Sequence, residues 1–124
     1  VMAITFNTDR LQGLEGTTIN GVYGRIQSVI VKKYDAETDP DVAAHFGIMY
    51  DVVLHATAVK RNAAGEYPQW GNRLRSREID HFTATVTTDQ MNAADANGYT
   101  LAYADLKAKL AADSPPKATS IADA

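Results

Sequence analysis

The sequence predicts an α+β fold: an antiparallel β-sheet or small β-sandwich with long central strands and a C-terminal helix. Three observations carry this. Long stretches alternate apolar and polar side chains at the two-residue period of a strand. The segments between them are rich in glycine, proline and acidic residues, which turn the chain. Near the end, Tyr99, Tyr103, Leu106 and Leu110 recur at helical spacing in a segment rich in alanine.

Residues 3–7 read as a short opening strand, followed by "RLQGLEGTT", where Gly13 and Gly16 mark a turn. Residues 21–34, "GVYGRIQSVIVKKY", form a long strand. Val22, Ile26 and Ile30 share one face, and Tyr23, Arg25 and Gln27 the other. Gly24 inside it signals a bulge or a close approach of backbone. After the loop "DAETDPDVAAH", residues 46–61 form a second long strand. Ile48, Tyr50, Val52, Leu54 and Ala56 alternate there with Met49, Asp51, Val53, His55 and Thr57. Both faces are partly apolar, which places this strand inside the sheet.

The loop "NAAGEYPQWGN" leads into a third long strand, residues 73–88, and the two strands flanking the loop make a hairpin. Leu74 and Ile79 differ in parity, so a bulge near Asp80 and His81 is expected to re-aim the chain, with Phe82, Ala84 and Val86 as the later apolar face. Residues 89–96 add a short turn. The helix starts at Asn97-Gly98, and Ser114-Pro115-Pro116 stops it.

The chain divides into a mostly-β domain with its helix, residues 1–112, and an extended C-terminal tail, residues 113–124. The tail holds Pro115, Pro116 and a single large apolar residue, Ile121. Ordering it costs about 1–2 kcal/mol per residue in backbone entropy. It is therefore expected to run across a neighbouring subunit or a different protein, anchored by Ile121, with residues 118–121 adding a strand to an exposed sheet edge, the alternative being a tail that lies on its own domain.

A chain of 124 residues suits one domain with a modest core. Its lack of cysteine excludes disulfides and thiolate metal sites. The net charge of −3 argues against a general nucleic-acid binder. No apolar run approaches the roughly 20 residues that span a membrane. The opening "VMAITFNTDR" has neither the basic nor the long apolar stretch of a secretory signal.

Asp35, Glu37, Asp39 and Asp41 alternate as in calcium loops, but Pro40 interrupts them, and neither the central glycine nor the closing glutamate is present. A solvated acidic loop is the better reading. His45, His55 and His81 show no ligand spacing, although His55 and His81 lie on strands expected to pair. Serine-nucleophile and phosphate-loop motifs are absent. The chain is therefore expected not to be an enzyme, with no catalytic residues, cofactor or metal.

Arg73, Arg75 and Arg77 alternate along one strand and project from one face, near Lys60, Arg61, Tyr67 and Trp70. Basic and aromatic residues together suit a carbohydrate- or nucleic-acid-binding module. The preferred reading is an exposed face that pairs with acidic groups of a neighbour. Tyr67, Pro68 and Trp70 sit on a loop tip, where bulky side chains either anchor an interface or fold back on their own sheet. The expected partner interface thus comprises Tyr67, Pro68, Trp70, Arg73, Arg75, Arg77, Pro115, Pro116 and Ile121.

The order of the segments "MAITF", "NGVYGRIQSVIVKK", "REIDHFTATV" and "NGYTLAYADLKAKL" resembles a group of small virion proteins of tailed bacteriophages. These begin MA-[VI]-T-F, carry a strand like N-A-Y-A-R-I, and close with a helix like A-Y-x-Y-L-K. Residues 21–26 match the strand, and "LAYADLK" matches the helix. Residues 36–44 and the tail depart from the pattern. The resemblance implies a structural protein of the virion, in the tail or baseplate, whose partners are other virion proteins and copies of itself. A head decoration protein is the alternative position. The resemblance hands over no catalytic residues.

Overall fold

In the computed structural model, the structure describes residues 3–34, 45–56, 73–93 and 97–124. In chain order the elements are β1 (Ile4–Thr8), β2 (Ile19–Tyr34), β3 (His45–His55), β4 (Arg73–Leu74), β5 (His81–Thr87), α1 (Thr88–Met91), α2 (Gly98–Ala112) and β6 (Thr119–Asp123). Among the described residues the strands make one antiparallel sheet in the order β4-β3-β2-β1-β6, with β5 following β4 along the same side of β3. The fold is thus mostly antiparallel β-structure with a C-terminal helix.

One face of the sheet carries the core. Ile4 and Phe6 of β1, Val22 and Ile26 of β2, and Ile48, Tyr50, Val52 and Leu54 of β3 are all buried and in one cluster. Helix α2 lies over them through Ala102, Tyr103, Leu106 and Leu110. Leu11 and Ile79 extend this core from the segments after β1 and before β5. The expected helical stripe is thus largely inward, but Tyr99 stays 47% exposed. It begins the helix next to Gly98, whose Cα rests on β2: a Cβ there would come within 3.2 Å of Val29.

The helix starts where the sequence signals it. Asn97 is the N-cap, and its side chain accepts the Thr100 amide at 2.9 Å. Ahead of it, Thr87 and Gln90 form a reciprocal capping box around α1. A polar clamp fixes α2 to the sheet. Tyr50 Oη donates to Asp105 Oδ2 at 2.5 Å, and Lys109 Nζ donates to the same oxygen and, at 2.7 Å, to the Thr83 carbonyl. Burial pushes the Tyr50 hydroxyl above its ordinary pKa, and the Asp105 carboxylate beside it adds to the effect.

Three sequence expectations change. First, Ile30 does not share a face with Val22 and Ile26. The register passes from Ile26 opposite Val52 to Ser28 opposite Asp51, so Gln27 is an extra residue. The inserted residue reverses the parity of everything after it. Of the two readings of Gly24, a bulge or a close approach, the close approach holds: a Cβ there would lie 3.0 Å from Phe6 Cε1 and 3.4 Å from Leu54 Cδ2. Second, residues 73–88 are not one bulged strand. They break into β4 and β5, because Ser76 and Ile79 both turn inward and the Ile79 amide bonds back to the Ser76 carbonyl.

Third, the tail docks on its own domain. Strand β6 pairs antiparallel with β1, with Thr5 opposite Ala122, and the Ala124 amide donates to the Ala3 carbonyl at 2.9 Å. Ala118 is buried, and Ile121 packs against the same core as the helix. Thr8 Oγ1 donates to the Lys117 carbonyl at 2.7 Å. The free side of β1 supplies the backbone partners that offset the ordering entropy, so the tail needs no outside surface. Pro115 is exposed, and its carbonyl accepts from Arg10 at 3.3 Å, while Pro116 is half-buried.

Candidate interaction surface

The bulge at Gln27 creates the most unusual surface. Strand β1 pairs with β2 only as far as Gly24, whereas β3 pairs with β2 out to Tyr34. Among the described residues, the second half of β2 therefore has a strand on one side only. Two helix side chains cover the beginning of this open edge. Tyr103 Oη accepts the Ile26 amide at 2.8 Å, and Tyr99 Oη donates to the Gln27 carbonyl at 3.4 Å. Beyond them the edge runs on through Ile30 and Val31, both exposed.

The same stretch has an apolar outer face, turned away from α2. Ile30 is 58% exposed, its cross-strand neighbour Met49 37% and Tyr34 42%. Tyr34 stacks on His45 with ring centroids 5.0 Å apart, and its ring lies over Gly47, where a Cβ would come within 3.0 Å. Lys32 Nζ stands 5.1 Å from the centre of the Tyr34 ring. A shallow depression follows, floored by Gly47 and Met49 and walled by Thr83 and Thr85 of β5.

A polar row crosses this face where the apolar patch ends. Ser28 Oγ donates to Asp51 Oδ2 at 2.9 Å, and His81 Nδ1 lies 2.8 Å from Asp51 Oδ1. A carboxylate can only accept, so the imidazole proton sits on Nδ1. The bond from His81, and then that from Ser28, hold the Asp51 carboxyl below its ordinary pKa. The arrangement orients an imidazole toward solvent. His55 is not part of it: His81 faces Asp51 across the ladder, and His55 faces Arg73 and Tyr23. Among the described residues no group of three or more histidine, aspartate or glutamate side chains could hold a metal ion.

No family model matches the chain, and neither a curated protein nor a solved structure does.

The expected interface residues fall into separate places. Tyr67, Pro68 and Trp70 lie outside the described residues, as do Lys60, Arg61 and the acidic loop. Arg73, Arg75 and Arg77 are exposed and alternate with half-buried Leu74 and buried Ser76, although the strand itself is only two residues long. Ile121, partly buried, packs against the chain's own core. Sequence reasoning did not single out Ile30, Tyr34 and Met49 as exposed, because an unmarked bulge sets their direction. Ser76 was also missed. Its signal was present: a polar residue two positions from Leu74, on the inward phase.

Proposed function

We propose that the chain is a structural, non-catalytic assembly protein of a tailed-phage particle, in its tail or baseplate. It joins subunits through the outer half of the β2–β3 hairpin, and the occupant is a β-strand of a neighbouring subunit. The observation that carries this reading is the open edge of β2 beyond Gln27, coupled to the exposed apolar face of Ile30, Tyr34 and Met49. An unpaired strand edge is a ready template for another chain. Monomeric proteins shield such edges, and exposed apolar patches on them mark interaction sites. The segment order that resembles tailed-phage virion proteins supports the particle assignment.

The test is quantitative mass spectrometry of purified particles produced with wild-type or Ile30→Lys protein. A lysine at the edge discourages strand addition. Wild-type protein should be present at a fixed copy number, and Ile30→Lys should be depleted at unchanged melting temperature. Absence of the wild-type chain from particles, or equal incorporation of the variant, refutes the reading.

A further inference from the structure

A second site lies at the opposite end of β3. The turn after β4 is pinned by backbone bonds on both sides: the Gln12 amide donates to the Arg75 carbonyl at 2.8 Å, and the Val52 amide to the Asp80 carbonyl at 2.9 Å. Between these anchors is a cavity of about 120 Å³. A single water needs roughly 10–15 Å³ in the same measure, so the space suits a small polyatomic group. Ser76, 2% exposed, lines it, and its Oγ is buried without a hydrogen-bond partner. A buried hydroxyl without a partner is uncommon in native proteins and calls for an occupant.

The rim is cationic. Arg73, Arg75 and Arg77 all contribute to the lining against one carboxylate, Asp80. Nearby Arg10 is already engaged by Asp9 and Glu78 at 3.1 and 2.8 Å. The three rim arginines make no ion pair with any described residue. Three arginines without an ion pair among the described residues line one cavity, and in a chain of net charge −3 they concentrate positive charge there. Guanidinium forks and a hydroxyl donor match the oxygens of a tetrahedral oxyanion.

We propose that this cavity binds a single phosphate group, held by Ser76 Oγ from within and by the arginines at the rim. The small volume favours a free phosphate or a terminal monoester over a phosphodiester chain lying across the surface. The site is independent of the β2 edge and of the assembly reading.

The experiment is a titration of the ¹⁵N-labelled full chain with inorganic phosphate at constant ionic strength, with sodium chloride as control and a short single-stranded oligonucleotide as a separate arm. Phosphate should produce saturable amide shifts at Gln12, Arg75 and Ser76 that chloride does not reproduce. Arg75→Gln should weaken the apparent affinity about tenfold, as expected for loss of a charge-assisted contact. Ser76→Ala should leave the ligand-free melting temperature unchanged or higher, since it removes an unpaired hydroxyl, and should diminish the rise that phosphate causes. Linear shifts shared with chloride would overturn the proposal, and so would saturable binding of the oligonucleotide alone. Unchanged phosphate affinity in both variants would also overturn it.

Discussion

Asp51 shows how a single exposed carboxyl can report on the registration of three strands. Its pKa is held down chiefly by the bond from His81. Folding stability from this group is therefore fully present above the unfolded carboxyl value, about 3.9. It is lost as pH falls through the lower folded value, because the unfolded chain takes up the proton first. A ¹³C titration should place the Asp51 midpoint below about 3.9, and His81→Ala should move it back up. A midpoint indifferent to His81 would show that the contact does not persist in solution. Gly24 is the other informative residue. Its neighbour Phe6 is 1% exposed and has nowhere to retreat. Gly24→Ala should therefore destabilise by roughly 1–3 kcal/mol, the usual cost of overpacking, as measured by urea unfolding. The sequence marked Gly24 as special without saying how. The partnership of Ser28, Asp51 and His81 left no mark, because it depends on two registers that no local pattern encodes.

Elements were legible where one periodicity ran unbroken. Alternation located β1, β2 and β3 to within a few residues over the described segments, and Asn97 and the prolines bracketed α2. The phase of a strand was legible only up to its first irregularity. Gln27 has no glycine or proline beside it to announce a bulge, so the outward turn of Ile30 was hidden. The same limit applies at Ser76, where a turn replaced an expected long strand. Leu106, fully buried on the inner face of α2, tests the helix assignment: Leu106→Ala should cost roughly 2–5 kcal/mol. A loss below about 0.5 kcal/mol, the range of surface sites, would put a different helix face inward. For β6 the measurement is hydrogen exchange on the dilute monomer. The Ala124 amide, bonded to Ala3, should be protected. Exchange at the rate of an unstructured peptide would return the tail to an outside partner.

At the scale of the molecule, two stretches of strand edge on the same side of the sheet are managed differently. The β1 side is covered by the chain's own β6, with Lys107 and Asp123 paired at 3.0 Å across the junction between helix and tail. The second half of β2 is stoppered by two tyrosines and, among the described residues, pairs with no strand beyond them on that side. Removing residues 118–124 should therefore bare a second strand edge and uncover the contacts of Ala118 and Ile121 with the core. The truncated chain should melt at lower temperature and show concentration-dependent association by light scattering. A monomer as stable as the full chain would mean that β6 contributes nothing to the domain. The tail's role was not readable from its composition, because the surface that orders it belongs to β1, more than a hundred positions away in sequence.

The bond between Ala124 and Ala3 also brings the two ends of the described chain to one corner of the sheet. A short peptide could join them with little loss of loop entropy. The circular chain could then be reopened in the turn of Gly13 to Gly16, whose backbone is exposed, without cutting a strand. A label joined at Ala3 or Ala124 would emerge at that corner. Because Ile4 pairs with Gly24, that corner adjoins the start of the exposed β2 edge, and cargo carried there would sit beside that edge.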